Sequence, residues 1–451
     1  MVLEHFFFDF KIIYLFSLIG QLIFIIALLK MSYQKRSPTS MIAWLLAFFL
    51  LPYVAVPLYL IVGLRKQRYN KEVLSLPMEK GQDHSYQKLQ LHTGNHFELY
   101  TTGEQEYTAL MQMIEQSQHS IYITVYKLGI DNTTTLILDA LQKKAEMGAS
   151  VKILLDALGS INLYILQNKL KKYRKSGIEI AFFMPILKMP FRNYINLRNH
   201  RKAFVFDEQS VLSGGINLAD TYLGPTENKK RWSDIMFLIK GKASKSYLEI
   251  FFADWAYSTD EQLKFSEHKD DTYGDVKIKV VPSGPDVKDD HLYEELLKLL
   301  YGATQRIWMV TPYFIPNEGI LDALIIAKHN GVDVRLITPR NSDHLIADLG
   351  RSSFMRELEG HDIYVGLFED TMLHAKAMII DNVGLLGSAN ISYRSMFLNY
   401  ETVSFFDSKE VVLKIELWMN ELLSLSTQEV KQHGKLRRIG ENLMKVLSPL
   451  M

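Results

Sequence analysis

The chain has 451 residues, of which 48% are hydrophobic and 22% charged, and its net charge is +1. A chain of this length has room for two or three domains, and a charge near zero gives no general attraction to nucleic acid. It contains no cysteine, which excludes disulfides, cysteine-ligated zinc and a cysteine nucleophile.

The N-terminal region carries two long uncharged segments. A helix of about 20 apolar residues crosses the hydrocarbon core of a bilayer. Residues 1–72 are therefore predicted to form a transmembrane anchor with helices at about 12–30 and 41–64. A signal peptide is less favoured because Glu4 and Asp9 stand where a basic run is expected. A buried helical hairpin is also less favoured, since neither segment is amphipathic.

The basic residues near the ends of these segments indicate the topology. Arg65, Lys66, Arg68 and Lys71 follow the second segment. Because loops rich in Lys and Arg stay in the cytoplasm, the pattern favours a multi-pass protein of the cell membrane with cytoplasmic catalytic domains.

Beyond the anchor, strand and helix patterns alternate, and the alternation occurs twice. Residues 121–126 and 307–310 are rich in β-branched and aromatic residues, which favours strands. The helical segment Ile137-Leu-Asp-Ala-Leu141 recurs unchanged as Ile320-Leu-Asp-Ala-Leu324, 183 positions later. Such a repeat indicates that a whole domain is duplicated.

The predicted fold class is therefore α/β, with two pseudo-symmetric α/β/α domains that share one central active site. We expect the first domain at residues 73–265 and the second at residues 266–451. From about residue 431 the second domain is predicted to end in a basic amphipathic helix.

Each half carries the motif H-x-K-x4-D. The first copy supplies His200, Lys202 and Asp207, and the second, 174 positions later, supplies His374, Lys376 and Asp381. Imidazole can act as a nucleophile or as a proton donor near neutral pH, and lysines can neutralise phosphoryl oxygens. The duplicated motif therefore predicts one phosphodiester-cleaving site assembled from both halves.

The apolar residues after each lysine favour a strand, on which residues two apart face the same side. The His and Lys of each motif should then project together into the site. Asp207 and Asp381 should lie on the opposite face near a strand end, where we expect them to hold structure rather than transfer protons.

A Gly-rich turn ending in Asn follows each motif. The candidates for phosphate binding or for support of the site are Gly215, Asn217, Asp234, Ser388, Asn390 and Glu401. Small residues let a phosphate approach, the Asn amides donate hydrogen bonds, and the two acids can fix the tautomer of a histidine. No metal-binding spacing is present, so neither a metal nor another cofactor is expected.

The paired H-x-K-x4-D and G-[GS]-x-N motifs resemble the phospholipase D superfamily. Within it, the chain resembles the bacterial cardiolipin synthases, on segments such as Asn199-His-Arg-Lys202, Thr311-Pro-Tyr-Phe-Ile-Pro316 and Arg394-Ser-Met-Phe-Leu-Asn-Tyr-Glu401. The resemblance implies two phospholipase D-like domains, a phosphohistidine intermediate and no metal. It also implies that two phosphatidylglycerol molecules give cardiolipin and glycerol, with His200 as nucleophile and His374 as acid.

The expected partners are a phospholipid substrate, phosphatidylglycerol by resemblance, and the membrane, but not nucleic acid. The oligomeric state stays open. Hydrolytic phospholipase D activity, or another phosphatidyl transfer, is the alternative function because the covalent step is the same. A nuclease is less favoured, since the sequence shows no stripe of basic residues of the kind that binds along the phosphate backbone of a nucleic acid. A non-enzymatic membrane scaffold is less favoured because both motif copies are intact.

Overall fold

The computed structural model of the protein describes residues 20–22, 24–29, 31–32, 38–62, 89–186, 196–265, 271–287, 290–428, 434, 437 and 441. The predicted helix at 12–30 lies partly, and the basic C-terminal helix mostly, outside the described residues. Two apolar helices, α1 (Pro38–Leu50) and α2 (Pro52–Val62), occupy the predicted second segment. Of the helices in the described ranges, none combines the length and apolarity needed to cross a membrane.

The strands of the described residues form one sheet. In chain order they are β1 (Leu91–Tyr100), β2 (Ser120–Val125), β3 (Ser150–Asp156), β4 (Glu179–Phe183), β5 (Ala203–Phe206), β6 (Ser210–Gly214), β7 (Met236–Lys240), β8 (Val276–Ser283), β9 (Arg306–Val310), β10 (Asp333–Pro339), β11 (Tyr364–Phe368), β12 (Ala377–Ile380), β13 (Val383–Gly387), β14 (Glu401–Asp407) and β15 (Ser426–Thr427). Their spatial order is β15-β11-β10-β9-β12-β13-β14-β8-β1-β7-β6-β5-β2-β3-β4.

Helices cover this sheet. In chain order they are α3 (Gly103–Gln116), α4 (Asn132–Glu146), α5 (Ile161–Ile165), α6 (Lys171–Lys175), α7 (Ser244–Thr259), α8 (His291–Gly302), α9 (Glu318–His329), α10 (Leu345–Gly360), α11 (Tyr393–Phe397) and α12 (Lys409–Ser424). A single-turn 3-10 helix, Gln167–Leu170, separates α5 from α6.

The strand order confirms the predicted repeat. Read outward from the centre, β1-β7-β6-β5-β2-β3-β4 in one half matches β8-β14-β13-β12-β9-β10-β11 in the other. At the centre β1 and β8 pair antiparallel, with Leu91 opposite Lys279 and His92 opposite Ile278. The protein is therefore two repeated α/β domains joined through one continuous sheet.

Three hydrophobic cores stabilise the two halves. Two outer cores lie one in each half, between the strands and α3 and α4 or α8 and α9. The third contains Trp255 of α7 and Trp418 of α12, packed with strand residues from both halves. Burial of aromatic side chains in this shared core fixes the position of one half relative to the other.

Within each half, parallel strands bring the loops that follow them to one edge of that half's part of the sheet. In the first half β2 pairs parallel with β3, and β3 with β4. In the second half β9, β10 and β11 do the same. Since ligands of open α/β sheets bind beyond the carboxyl ends of such strands, the loops after β2, β3, β9 and β10 are placed to form the site.

The motif histidines and lysines were expected on strands, and this expectation was wrong by a few residues. β5 begins at Ala203 and β12 at Ala377, so each motif's His and Lys precede the strand. The reason lies in the backbone pairing of these segments, because Asn199 bridges to Tyr400 and Leu373 bridges to Ser233. The motif segments are thus extended, but they pair with the opposite half before they enter the sheet.

Candidate active site

The backbones of the two motifs cross into the opposite half. The amide of His200 donates to the carbonyl of Tyr400 at 2.9 Å, and the amide of Tyr400 donates to the carbonyl of Arg198 at 2.9 Å. The amide of His374 donates to the carbonyl of Ser233 at 2.7 Å. Each histidine is therefore held beside the residue that precedes the other half's acidic candidate.

This crossing pairs each histidine with the carboxylate of the other half. Nδ1 of His200 lies 3.0 Å from Oε2 of Glu401, and Nδ1 of His374 lies 2.7 Å from Oδ2 of Asp234. Both carboxylate side chains are fully buried. A buried carboxylate on Nδ1 fixes the tautomer that leaves Nε2 to act on the substrate. Chain order, which puts Asp234 34 residues after His200 and Glu401 27 residues after His374, predicts the opposite pairing, and that expectation was wrong.

Glu401 is held by several donors besides His200. Ser388 Oγ donates to it at 2.6 Å, Ser395 Oγ at 2.8 Å and Asn399 Nδ2 at 3.3 Å. Burial alone would raise the pKa of Glu401, but His200, Lys202 and the Ser388 hydroxyl lower it overall. Glu401 is therefore an ionised and rigid partner for His200. Ser395 and Asn399 were not singled out from the sequence, although both lie in the segment that ends at Glu401.

The space beside the Asp234 carboxylate is smaller than the space beside Glu401. A Cβ added at Gly215 would lie 2.2 Å from Oδ1 of Asp234, so only glycine leaves room for this carboxylate. Ser388 occupies the corresponding place in the second half, where the acid is the longer Glu401. Burial alone would raise the pKa of Asp234, but Lys376 and His374 lower it below the ordinary value. The halves thus form the same histidine–carboxylate contact with different side chains.

Both motif lysines lie buried beside their histidines. Nζ of Lys202 donates to the carbonyl of His200 at 2.7 Å. Nζ of Lys376 lies 2.9 Å from Nδ1 and 3.2 Å from Nε2 of His374. Burial lowers the pKa of Lys202 to about 7 and that of Lys376 to about 8. Part of the positive charge of the site is therefore missing until an anion binds.

Burial also lowers the pKa values of the two motif histidines. Burial, followed by the charge of Lys376, lowers the pKa of His374 to about 4. Burial also lowers the pKa of His200, against the opposing effect of Glu401. Without a ligand both imidazoles are neutral near pH 7, the form that a nucleophile requires. An anionic phosphate favours the charged form and raises these pKa values again.

Aromatic rings enclose the two imidazoles. The ring of Tyr126 packs edge-on against His200 with centroids 5.3 Å apart. Tyr222 and Trp232 pack against His374 at 5.2 and 5.5 Å. They restrict both imidazoles to one orientation. These residues were missed as site members, and the available signal was the position of Trp232, two residues before Asp234.

Asp207 and Asp381 close turns at the far ends of their strands. Asp207 (φ 47°) accepts from the amides of residues 118–120 at 2.7–2.9 Å. Asp381 (φ 49°) accepts from the amides of residues 304–306 at 2.8–3.0 Å. Their oxygens are thus used to fix the chain, and the motif histidines are served by other carboxylates.

The two asparagines lie on the turns that follow β6 and β13. Oδ1 of Asn217 accepts from the amide of Lys127 at 3.2 Å. Oδ1 of Asn390 is buried and has no hydrogen-bond partner within the described residues. Because an unpaired buried amide oxygen is costly, a ligand or a water is its expected partner. In the part of the chain that the structure describes, no cluster of three or more His, Asp or Glu side chains could hold a metal ion.

Two α/β repeats that each give a histidine, a lysine and a carboxylate to one site define a phospholipase D-like protein. Residues 110–255 and 296–423 match the family described as "Cardiolipin synthase, PLD-like domain". Residues 21–63 match the family described as "Phospholipase_D-nuclease N-terminal". The chain belongs to the cardiolipin synthase family of phospholipase D-like proteins.

Individual relatives agree with this assignment over nearly the whole chain. Cardiolipin synthase 1 of Bacillus anthracis is 31% identical, over 93% of this chain and 90% of that protein. Cardiolipin synthase of Geobacillus kaustophilus is 30% identical, over 100% of this chain and 97% of that protein. The crystal structure of phosphatidylserine synthase from Haemophilus influenzae has a TM-score of 0.61 at 17% identity, over 79% of this chain and 95% of that chain, and therefore shows the shared fold.

Proposed function

We propose that this protein transfers a phosphatidyl group from one phosphatidylglycerol to a second, giving cardiolipin and glycerol through a phosphohistidine intermediate. It is a phosphatidyltransferase by its family, whose relatives are named cardiolipin synthases. The observation that carries the mechanism is the exchange of carboxylates, His200 with Glu401 and His374 with Asp234. It places two differently supported imidazoles in one site.

His200 is the proposed nucleophile. Glu401 holds its Nδ1, and within the described residues its Nε2 makes no hydrogen bond. Nε2 of His374, by contrast, lies 3.2 Å from the amine of Lys376. In the first step Nε2 of His200 forms a bond to phosphorus while the bond from phosphorus to the glycerol oxygen breaks.

His374 is the proposed general acid and base. It takes up a proton when the anionic phosphate enters, and it gives that proton to the departing glycerol oxygen. In the second step it removes a proton from a hydroxyl of the second phosphatidylglycerol. That oxygen bonds to phosphorus, the bond between phosphorus and His200 breaks, and the site returns to its initial state.

Lys202, Lys376, Asn217 and Asn390 are proposed to bind the phosphoryl oxygens. Both lysines are buried, so their charge acts through a medium that screens it weakly. Gly215 and Ser388 are assigned to room for, and support of, the carboxylates. Asp207 and Asp381 are assigned to the fold.

Residues 1–72 are proposed to be a two-helix transmembrane anchor, followed by catalytic domains at 73–265 and 266–451 on the cytoplasmic side. Support comes from the exposed apolar surface of α1 and α2, where Phe49 is 83% and Tyr53 81% exposed. Side chains of this kind are stable in contact with lipid. The match of residues 21–63 to a family's N-terminal region agrees with a separate anchor.

The reaction is tested with full-length protein and phosphatidylglycerol as the sole lipid. Cardiolipin and glycerol should appear in equal amounts, as measured by lipid mass spectrometry and a glycerol assay. Phosphatidate without cardiolipin would instead establish the alternative, hydrolytic phospholipase D activity. Cardiolipin that forms only after a phospholipid with a different headgroup is added would contradict phosphatidylglycerol as the donor of the phosphatidyl group.

The histidine roles are tested with a phosphatidyl ester of p-nitrophenol. Nitrophenolate leaves without a proton donor, so the first step no longer needs a general acid. His374→Ala should release one equivalent of nitrophenol and leave a phosphatidyl group on the peptide that contains His200. His200→Ala should release none. The reverse result would exchange the two roles.

A further inference from the structure

Four large apolar side chains in the loops that follow β3 and β10 are exposed in the part of the chain that the structure describes. Ile165 is 66% and Leu166 43% exposed in the first half, and Leu345 is 74% and Ile346 61% exposed in the second. The first pair ends α5, which follows β3, and the second pair begins α10, which follows β10. β3 and β10 hold equivalent places in the two repeats, so each exposed pair lies beyond the carboxyl end of the equivalent strand of its own half.

The first pair is tied to the His200 side of the site. Oγ of Ser160, which precedes α5, donates to the carbonyl of Tyr126 at 3.1 Å and accepts from the amide of Leu128 at 3.0 Å. Tyr126 is the residue that packs on the imidazole of His200. A helix of five residues is about 7 Å long, so Ile165 lies one short helix away from this contact.

The second pair is tied to the His374 side. The hydroxyl of Tyr313 donates to Asp343, two residues before Leu345, and the ring of Tyr313 packs on His344. Asp343 is close enough to Lys376 for its charge to act on that buried amine. Each apolar pair therefore belongs to a segment that is linked to one of the two histidines.

The charge around the first pair indicates what covers it. Exposed lysines lie within nine residues after Leu166, at positions 169, 171, 172 and 175, and Lys172 pairs with Asp139. Two copies of such a surface would repel each other, whereas an anionic lipid surface attracts lysines and accepts apolar side chains between its headgroups.

We propose that Ile165–Leu166 and Leu345–Ile346 insert into an anionic bilayer and hold the opening of the active site against the membrane surface. This inference rests on the proposed function, because it assumes that the substrate is taken from the bilayer. It assigns the catalytic domains their own membrane contact, distinct from the anchor. Phosphatidylglycerol can then enter the site headgroup first while its acyl chains stay in the membrane.

The absence of cysteine allows a direct test. Full-length Ile165→Cys and Leu345→Cys proteins, each labelled with an environment-sensitive fluorophore, are reconstituted into phosphatidylglycerol vesicles that contain lipids spin-labelled along the acyl chain. Leu413→Cys is the matched control, because Leu413 is 54% exposed on α12. Quenching at 165 and 345 should be at least about twice that at 413. Equal quenching at all three positions would overturn the proposal.

A protein partner gives a different result. Emission that shifts to the blue in lipid-free detergent as protein concentration rises, without quenching in vesicles, would show that a second copy covers the patch and would also overturn the proposal. If the wild type makes cardiolipin but the labelled variants show no quenching at positions 165 and 345, this inference alone is refuted. Quenching in a protein that makes no cardiolipin would refute the proposed function instead.

The effect on turnover gives a second readout. Replacing Ile165 and Leu345 together by Ser should lower the ratio of turnover on vesicles to turnover on dispersed short-chain phosphatidylglycerol by about tenfold. The Leu413→Ser, Leu417→Ser double variant, which also removes two exposed leucines, should leave this ratio unchanged. An unchanged ratio in the first variant would contradict the proposed contact.

Discussion

Nδ1 of His200 lies 3.0 Å from Oε2 of Glu401, a residue 201 positions further along the chain and in the other repeat. The same exchange joins His374 to Asp234 across 140 positions. Neither histidine contacts the downstream acid of its own half in this way. The proposed catalytic unit therefore depends on contacts between the repeats, and most of the predictions below test a part of it.

Replacement of either histidine by Ala should lower cardiolipin formation by at least about 10³-fold, because the two imidazoles act as one unit. For the same reason the double variant should be no slower than the slower single variant. Lipid product assays under identical loading measure both. His119→Ala, which removes an exposed histidine, should retain wild-type turnover. A single variant with near wild-type turnover would contradict the shared site.

The exchange of carboxylates predicts which variants behave alike. Loss of the charged partner of a catalytic histidine costs about 10⁴-fold in a serine protease, so Glu401→Gln and Asp234→Asn should each cost about 10²–10⁴-fold on phosphatidylglycerol. With the p-nitrophenol ester, Asp234→Asn should recover its first step, as His374→Ala does, and Glu401→Gln should not. Recovery by Glu401→Gln alone would show that each acid serves the histidine of its own half.

Anion binding should be accompanied by proton uptake. In the empty site the pKa of Lys202 is about 7 and that of Lys376 about 8, so at pH 8 the first is mostly neutral and the second half charged. A bound anion raises both lysine pKa values and, in the proposed mechanism, also places a proton on His374, so about two protons should enter per molecule of a soluble phosphonate analogue of phosphatidylglycerol. Calorimetry in buffers of different ionisation enthalpy measures this number. Lys202→Met should show less uptake, and a net release from the wild type would contradict the assignment.

Asp381 should contribute to stability rather than to chemistry. Its pKa is lowered, because the amides of Arg306, Thr304 and Gln305 outweigh the effect of burial. A lowered pKa in the folded state contributes stability above about pH 4, and this is lost as the pH falls through the folded value. Asp381→Asn should therefore cost about 1–2 kcal/mol at pH 7, and less as the pH falls below 4.

Chemical denaturation at several pH values measures this cost. Asp362→Asn is the control, since Asp362 also has positive φ (57°) and is exposed on a turn. Its cost should stay within about 0.5 kcal/mol at every pH. A pH-independent cost for Asp381→Asn would argue against the ionised turn.

The repeated fold was predictable because its evidence is local. The recurring Ile-Leu-Asp-Ala-Leu segment lies on α4 and α9, and the apolar strands at 121–126 and 307–310 correspond to β2 and β9. The placement of His200 before β5 was not predictable, since its backbone partner is Tyr400. Patterns of alternation cannot show whether an extended segment pairs with its neighbour in sequence or with a distant one.

The candidate site was predictable as a set of residues but not as a set of contacts. Motif spacing selects His200, His374 and the two downstream acids. It cannot show that Ser395 and Asn399 bind Glu401, because side chains with many possible roles give no periodic signal. Nor can it show that Gly215 leaves room for Asp234, where an added Cβ would lie 2.2 Å from Oδ1 of that carboxylate.

The crossed backbone bonds are reciprocal, as they would be between two identical chains related by a two-fold axis. If a single ancestral repeat paired with a second copy of itself about a two-fold axis, each histidine would already have met the acid of its neighbour. Fusion of the two copies would keep those contacts and then free each to diverge separately, as the pairs Gly215 with Asp234 and Ser388 with Glu401 have done. Co-expression of residues 1–265 with 266–451 as separate chains would show whether the ancient dimer can still assemble.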